Sequence, residues 1–301
     1  MRIRHFSFLG IRGLDGHRHD LPRTSDTDLT IIHGGFASGK TSFLDALAAA
    51  KENVAAYGSP DSRWDGLVGS STGAAKVQIQ WEASDTERAL YGLDDALLSS
   101  ESILGRGMGA EDHPVALKGL LGEDGDATRG SVHYLHDTRN LDGPLSFGSD
   151  DAGLRLRMTT RNSKFADLYD VLDQSDKTSA RALASQRLGE LCPNLEILGL
   201  KRFGTSFYPI IVERDSRAER RYHSLSTSEQ QAFLLALYTA KKPIVDSVVL
   251  VDAPEVGFGD GAVECVRALL RWTNRTQLIV ATGVAAVKAM PEVSHVIELR
   301  S

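Results

Sequence analysis

The sequence predicts an α/β fold in which a largely parallel sheet is covered by helices. In the last third of the chain, short apolar runs alternate with helical segments, an order typical of a parallel, doubly covered sheet. Near the start, a β-rich run ending at His33 leads through a glycine-rich loop into a helix rich in alanine and leucine. A chain of 301 residues with 42% hydrophobic and 25% charged residues has enough apolar side chains for a large core.

The individual elements follow from periodicity. Strands are predicted where apolar and polar residues alternate, as in MRIRHFSF and KVQIQW, or where a short apolar run such as VVLV occurs. Helices are predicted where apolar residues recur every three or four positions, as in SFLDALAAAKENVAA. The predicted strands are 1–8, 29–33, 76–81, 131–135, 248–251, 277–281 and 293–299, with a β-rich segment at 195–213. The predicted helices are 42–56, 164–173, 178–190, 229–240 and 262–272.

Residues 83–126 form an acidic segment with ten acidic and three basic residues and many glycines. We interpret it as a solvent-facing, partly mobile insertion. The net charge of the whole chain is −6, which gives no global reason to expect nucleic-acid binding. Any surface that binds phosphates would have to be local.

The sequence has neither a signal peptide nor an apolar run long enough to span a membrane. Cys192 and Cys265 are far apart and lack the spacing of a metal site, so we interpret them as buried thiols in a reducing compartment. We therefore expect a cytoplasmic protein without a membrane partner.

The glycine-rich loop matches the phosphate-binding pattern GxxxxGK[ST] between a strand and a helix. In this motif, backbone N–H groups surround the phosphates, the lysine contacts the β- and γ-phosphates, and the hydroxyl binds Mg²⁺. ATP and Mg²⁺ are therefore the predicted ligands. The predicted nucleotide-binding residues are Gly34, Gly35, Phe36, Ala37, Ser38, Gly39, Lys40, Thr41 and Ser42.

The stretch VVLVDAPE at 248–255 is a second candidate nucleotide element. Four apolar residues predict a buried strand, and Asp252 at its end is placed to contact Mg²⁺ together with Thr41. Many buried strands end in aspartate, so this stretch indicates a nucleotide site only in combination with the phosphate-binding loop. Asp252 is predicted as a metal-binding and catalytic residue.

The segment LSTSEQQ, residues 225–231, has two interpretations. By itself, SxxE before a helix is a capping box between Ser226 and Glu229. It also closely resembles the LSxGEQQ signature of ABC-type ATPases. With the opening MRIRHFSFLGIRGLDG, the loop, VVLVDAPE and QLIVATG, the chain resembles the SMC/RecF-like (AAA family ATPase, OLD-like) branch of that superfamily.

This resemblance implies a P-loop NTPase fold, an ABC-ATPase-like nucleotide-binding domain with an added antiparallel β and helical subdomain. We expect a single domain over residues 1–301, with a core lobe of 1–57 and 225–301 and an inserted lobe of 58–224. The resemblance further implies that two chains enclose two ATP molecules. Ser226, Ser228 and Glu229 would then contact the nucleotide of the opposite subunit.

Two further site residues are suggested by the resemblance alone. Arg12 matches a position that often carries an arginine near the phosphates, and a simple surface arginine is an equal alternative. Gln80 is a candidate Mg²⁺ sensor, and a solvent-facing strand residue is the other interpretation.

Three positions depart from the family pattern. Ala253 replaces the glutamate that orients the attacking water, Gly283 replaces a histidine near the γ-phosphate, and Ser228 replaces the signature glycine. Glu255 is a candidate replacement base or else an anchor of its loop, and His33 and Asp260 are weaker substitutes. Hydrolysis is expected to be slow, because orienting water and stabilising charge each contribute orders of magnitude.

Three functions are compatible with this pattern. The favoured one is a nucleotide-gated switch in which ATP closes a dimer, with itself or a related ATPase subunit. A partner protein or a nucleic-acid-processing or defence complex would respond to closure. The second is an active ATPase that uses Glu255 to remodel DNA or a protein complex, and the third is a subunit without nucleotide.

The segment ERDSRAERRYH before the signature contains four arginines. Interspersed acidic residues predict a salt-bridged, solvated hairpin. The alternative is a local patch for phosphate or for a partner, coupled to the nucleotide through the adjacent signature.

Overall fold

The structure is a computed structural model that describes residues 1–55, 66–69, 73–104, 115–122, 132–135, 145–146, 172, 178–203, 206–241 and 244–300. The chain divides into two compact units. The first unit contains Met1–Asp137, Ile244–Pro254 and Thr273–Ser301, and the second contains Thr138–Pro243 and Glu255–Trp272.

Most strands belong to the first unit. They are β1 (Arg2–Leu9), β2 (Arg18–Asp20), β3 (Asp28–Gly34), β4 (Ala75–Glu82), β5 (Leu97–Leu104), β6 (Val132–Leu135), β11 (Ile244–Val245), β12 (Val248–Asp252), β13 (Thr273–Asn274), β14 (Gln277–Thr282) and β15 (Val293–Leu299). The strands of the second unit are β7 (Leu145–Ser146), β8 (Leu195–Phe203), β9 (Ser206–Glu213) and β10 (Glu219–Arg220).

The helices are numbered in chain order. They are α1 (Lys40–Val54), α2 (Asp85–Tyr91), α3 (Val115–Leu121), α4 (Thr178–Leu191), α5 (Thr227–Lys241), α6 (Pro254–Phe258), α7 (Ala262–Trp272) and α8 (Ala285–Lys288), with 3-10 turns at Tyr222–Ser224 and Gly259–Gly261.

A five-stranded parallel sheet forms the centre of the first unit, in the order β15-β3-β14-β12-β6. Its inner strands are apolar runs because both faces of a parallel sheet are covered. Every residue of β12 and β14 is buried. The carboxyl ends of β3, β12 and β14 lie side by side, and the candidate site is built there.

A four-stranded antiparallel sheet, β2-β1-β4-β5, completes the first unit. The apolar residues of β1 and β4 point to one face, as their alternation predicts, and include the fully buried Phe6 and Trp81. Phe6 and Phe8 each contact the ring of Phe43 on α1 edge-on. The helix that follows the phosphate-binding loop is therefore anchored to this sheet by aromatic packing.

The second unit packs α4 and α5 on an antiparallel sheet in which β8 and β10 pair with β9. Its core includes Leu188, Ile211, Tyr222 and Phe233. Buried side chains surround α5, because this helix is apolar on almost all sides after its first turn. The start of α5 is thereby held on a rigid element.

The α/β fold class is confirmed, and most predicted elements are present with small shifts at their ends. The helix predicted from residue 42 begins two residues earlier at Lys40, because the loop leads directly into its first turn. The helix predicted at 164–173 falls on residues of which the structure describes only Leu172. The units also differ from the predicted lobes, since pairing of β4 with β1 includes 75–82 in the first unit.

The interpretation of residues 83–126 as a solvent-facing insertion holds only in part for the described residues, because most of them are exposed or partly exposed but several belong to paired or capped elements. β5 pairs with β4 along eight residues, and α2 begins with a capping box between Ser84 and Glu87. Glu87 is buried because it also pairs with the N-terminal ammonium group of Met1. The acidic composition of this segment therefore did not reveal that it contains the helix α2 and the paired strand β5.

The cysteines agree with their interpretation as structural thiols. Cys265 is buried, and burial together with the nearby Glu229 carboxylate raises the pKa of the half-buried Cys192 to about 11. Such a thiol is almost entirely protonated at neutral pH and is a poor nucleophile. None of the helices in the described ranges is long and apolar enough to cross a membrane.

Candidate nucleotide site

The phosphate-binding loop connects the end of β3 to α1. Gly34 is the last residue of the strand, and a Cβ added there would lie 2.4 Å from Ser38 Oγ and 2.9 Å from the carbonyl oxygen of Leu299. Ser38 is buried inside the loop. The first glycine of the motif is thus required by close packing against the loop's own serine and the neighbouring strand.

Gly39 precedes α1 and has a φ of 89°, a left-handed conformation that a glycine adopts without strain. No side chain caps α1, and its first turn contains no acidic residue. The first-turn N–H groups, including those of Lys40 and Thr41, therefore point out of the helix toward an anion-binding position. This is the geometry that the sequence motif predicts.

The loop between β1 and β2 packs on this turn. Leu14 lies next to Gly39, with its Cδ2 3.4 Å from where a Cβ of Gly39 would be. Arg12, two residues earlier, is exposed and its backbone N–H donates to the carbonyl of Leu67. Arg12 therefore lies on a loop that contacts the phosphate-binding turn, as the resemblance implied, and its guanidinium role stays a prediction.

The lysine of the motif contacts its own loop. Lys40 Nζ donates to the carbonyl oxygens of Gly34 at 2.9 Å and Gly35 at 2.7 Å. In the loop between Gly35 and α1, the side chain of Phe36 is 98% exposed and Ala37 has a φ of 59°. The ammonium group is thus held at the mouth of the loop, where a phosphate would exchange for these carbonyls.

Thr41 and Asp252 meet at the edge of the parallel sheet. Thr41 Oγ1 donates to Asp252 Oδ1 at 3.3 Å, although 211 residues separate them in sequence. Asp252 is 1% exposed and ends β12, which β14 separates from β3. A hydroxyl and a carboxylate are hard oxygen ligands that suit Mg²⁺, which normally takes its remaining ligands from phosphates and water.

The residues directly after β12 and β14 have no functional side chain at this edge of the sheet. Ala253, directly after β12, has a φ of 42°, and its N–H donates to the carbonyl of Ala281 at 2.9 Å. Gly283 follows β14. Both positions at which the family pattern has a catalytic side chain therefore lack one, while the backbone there is ordered by hydrogen bonds.

Gln80 and Glu255, two further predicted site residues, belong to other elements than Thr41 and Asp252, and the role of Glu255 stays a prediction. Glu255 lies in the first turn of α6 and is the first residue of the second unit after Pro254. Gln80 belongs to β4 of the antiparallel sheet, where it lines a polar pocket with His5 and Ser99. The sheet position favours the interpretation of Gln80 as a polar strand residue.

A chain of polar contacts beside the loop was not predicted as a set. His33 Nδ1 lies 2.9 Å from Glu298 Oε2, and Lys288 pairs with the other oxygen of this carboxylate. These two hydrogen bonds hold the pKa of Glu298 below its ordinary value. In the sequence, the position of His33 next to the motif was the only signal for this contact, because Glu298 and Lys288 are more than 250 residues away.

In the second unit, the signature segment forms the turn before α5. Ser226 N–H donates to Glu229 Oε2 at 2.7 Å, and Glu229 N–H lies 3.4 Å from Ser226 Oγ. The two hydroxyls of Ser226 and Ser228 are 3.3 Å apart. The capping box predicted from SxxE is therefore present between Ser226 and Glu229, and the hydroxyl of Ser228 contacts it through Ser226.

The arginine-rich hairpin between β9 and β10 is salt-bridged, as predicted. Arg217 pairs with Glu196 at 2.8 Å, Arg220 pairs with Glu213, and Arg214 donates to the carbonyl of Leu195. The hydrogen bonds of Glu213 with Ser216 and Arg220 lower its pKa. The guanidinium of Arg221 has no partner among the residues that the structure describes.

Comparison with protein-family models and with curated proteins finds no match. The fold is similar to that of solved SMC head domains, at low sequence identity. These are an SmcHead bound to the C-winged helix domain of ScpA (15% identity, 99% of this chain and 94% of that chain, TM-score 0.64), the SMC head domain from Thermotoga maritima (15%, 99% and 94%, 0.51), and the Smc head domain with an extended coiled coil bound to the C-terminal domain of ScpA derived from Pyrococcus furiosus (14%, 98% and 92%, 0.59). The chain therefore has the P-loop fold of SMC heads, an ABC-ATPase-like nucleotide-binding fold in which a mixed set of sheets is flanked by helices.

Proposed function

We propose that this chain is an ATP-binding, ABC-type protein that acts as a nucleotide-gated switch. ATP and Mg²⁺ would bind at the loop formed by Gly34–Ser42, with Lys40 on the phosphates and Thr41 and Asp252 on the metal. ATP would then favour a closed dimer, with a second copy or a related subunit. The dimer would act on a partner protein, or on a nucleic-acid-processing or defence complex.

One observation carries this proposal. Thr41 and Asp252 are joined at 3.3 Å beside an anion-binding helix start, whereas the next residue along the chain is Ala253. The residues proposed to hold Mg²⁺ and phosphate thus lie together, and the position expected to orient water carries an alanine. Binding without fast turnover follows, because general-base positioning typically contributes about 10²- to 10⁴-fold to a rate.

In the chemistry of this site, Mg²⁺ would neutralise charge on the β- and γ-phosphates. The chain's own residues then bind and orient the nucleotide: the α1 N–H groups and Lys40 donate to phosphate oxygens. The Asp252 carboxylate, buried at the strand end, keeps the Thr41 hydroxyl directed to one position. Binding energy of this kind shifts an association equilibrium by as much as ATP prefers the closed state.

The partner in this proposal has support from the neighbouring folds only by analogy. Two of the solved SMC heads of similar fold are bound to a domain of ScpA. We propose that a separate protein likewise responds to this chain, without assigning the same partner.

Measuring the mass of the purified chain in solution, with and without Mg-ATP, tests the proposal together with single-turnover hydrolysis. We expect ATP to increase the mass to that of a dimer while hydrolysis stays slow. Lys40→Ala should weaken ATP binding by about 10- to 100-fold, since a charge-assisted hydrogen bond contributes roughly 1.5–3 kcal/mol. Lys76→Ala, a surface change on β4, is the matched control.

A chain that stays monomeric at saturating ATP would contradict the switch. The alternative is an active ATPase, and it rests on Glu255, which is three residues from Asp252 and lies in the first turn of α6. Brisk hydrolysis that Glu255→Gln abolishes would replace the first proposal with this one.

A further inference from the structure

The second unit has a pocket of about 480 Å³ where the edge of β9 is left open. β8 pairs with one edge of β9 along its length, so β10 and β7 both pair with the opposite edge. β10 covers Ile211 and Val212, and β7 covers Ser206 and Phe207. On this second edge, between β10 and β7, no strand of the described chain pairs with 208–210, and these three residues line the pocket.

The floor of the pocket is apolar and its backbone is poor in donors. Tyr208 is 36% exposed, while Pro209 is buried and Ile210 is partly buried. Proline lacks an N–H group, and proteins use it on open strand edges to prevent indiscriminate pairing. A ligand here would therefore be recognised through its side chains, with apolar groups against the floor.

The rim of the pocket is basic. Lys201, Arg220 and Arg221 line it together with a single acidic residue, Glu219. Lys201 pairs with Glu219 at 3.1 Å, and Arg220 is engaged by Glu213. The guanidinium of Arg221 is exposed and makes no contact within the described residues, so it is the cation that remains for a ligand carboxylate.

From this combination we infer that the pocket binds an extended segment of a partner protein in which acidic residues alternate with apolar ones. The positive lining is complementary to such a segment and stands out from a chain whose net charge is −6. A nucleic acid fits less well, because its backbone needs several uncompensated cations in a row. In this pocket, Glu219 and Glu213 already pair with two of the three cations, Lys201 and Arg220.

The pocket is connected to the signature segment through one short turn. Arg221 N–H donates to Ser224 Oγ at 3.1 Å, and this hydroxyl donates to the Arg221 carbonyl at 2.7 Å. From α5, Gln230 Nε2 donates to the carbonyls of Tyr222 at 3.3 Å and Leu225 at 3.1 Å. A segment bound to Arg221 would therefore affect the conformation of the turn that positions Ser226. This coupling, unlike the pocket itself, rests on the proposed function.

The test uses the full chain and a fluorescein-labelled peptide, Asp-Val-Asp-Ile-Glu-Val-Asp, with fluorescence polarisation as the readout. Two variants each remove one positive charge from the same hairpin. Arg221→Ala removes the free guanidinium of the pocket, and Arg217→Ala removes one that is paired with Glu196 outside it. We expect Arg221→Ala to weaken binding about tenfold and Arg217→Ala to leave it unchanged.

Three results would overturn the inference. They are no binding up to about 1 mM peptide, equal loss in the two variants, and tighter binding of a single-stranded oligonucleotide or of Lys-Val-Lys-Ile-Lys-Val-Lys. The experiment without ATP tests the pocket alone. Repeating it with Mg-ATP tests the coupling, which predicts equal, reciprocal changes in peptide and ATP affinity. Peptide binding without ATP-dependent dimerisation would thus retain the pocket and reject the switch.

Discussion

Two helix starts in this molecule differ in how their N–H groups are satisfied. At α1, Gly39 provides no side chain and the first turn has no acidic residue, so the end is open to an anion. At α5, Ser226 and Glu229 bond to each other and close the end. An open start can receive a phosphate directly, whereas the closed start must first give up part of its capping box.

The comparison teaches how the proposed switch would divide its tasks. Binding of ATP by a single chain should depend on the phosphate-binding loop, the start of α1 and Asp252, and not on the start of α5. Closure onto a second chain should be the weaker and more adjustable step, since contact between a phosphate and Ser226 competes with an existing hydrogen bond. Changes at the two helix starts are therefore expected to separate binding from dimerisation.

Restoring a carboxylate at Ala253 is the change with the largest expected effect. Ala253→Glu should accelerate single-turnover hydrolysis by about 100-fold, within the range for a positioned general base, while ATP affinity stays close to that of the parent chain. The φ of 42° at this position imposes some strain on any residue other than glycine. Ala253→Gln has the same size and strain, so equal rates in the two variants would contradict the assignment.

Adding one methyl group at the first glycine of the phosphate-binding loop, which leads to the open helix start, comes next. Gly34→Ala would place Cβ 2.4 Å from Ser38 Oγ and 2.9 Å from a backbone carbonyl, and only the serine can move. We expect unfolding free energy to fall by about 1–3 kcal/mol and ATP affinity to fall with it. Thermal unfolding with and without Mg-ATP measures both. Gly66→Ala, outside the loop and with nothing within 4 Å of the added methyl, is the control.

At the closed helix start, the expected effect is smaller. Ser226→Ala removes the oxygen that accepts from Glu229 N–H and should lower unfolding free energy by about 1 kcal/mol. ATP affinity of the monomer should not change, while the ATP-dependent dimer should weaken. Urea unfolding, nucleotide titration and mass in solution separate the three quantities. A parallel loss of ATP affinity would show that the nucleotide site at α1 and the start of α5 are not independent.

The difference between the two helix starts also explains how far the sequence could predict the site. Gly34–Thr41 is a local motif, and both its conformation and its place between a strand and a helix follow from residues next to one another. Asp252 was predictable because a buried strand carries it to the same sheet edge. By contrast, the contact of His33 with Glu298 and of Leu14 with Gly39 depends on pairing across the fold, for which no local pattern exists.

Composition was a poorer guide than periodicity. The acidic segment 83–126 was interpreted as solvent-facing, yet its residues 97–104 form β5 and its Glu87 is buried in an ion pair. Gln80 shows a similar limit for predictions made from family resemblance. A family position suggested a metal role, but strand register turns the side chain toward His5 and Ser99 in a pocket of the antiparallel sheet.

The smallest expected effect is a pH dependence near the open helix start. His19 packs against Phe6 and against Phe43 of α1, and its neighbours include the charged or titratable groups of His5, His17, Asp20 and His295. Burial, followed by the nearby histidines, lowers its pKa from the ordinary value of 6.5, and Asp20 opposes this only in part. The fold thus prefers the neutral ring.

A lowered folded pKa means that the stabilising contribution of His19 is present above pH 6.5 and is lost as the pH falls below it. His19→Phe keeps an aromatic ring against Phe43 and cannot be protonated. Between pH 7 and pH 5.5, unfolding free energy of the parent chain should therefore decrease more steeply than that of the variant. His223→Phe, at a position in the other unit, serves as the control. Parallel pH profiles for the parent and His19→Phe would mean that protonation of His19 is not resisted by the packing around α1.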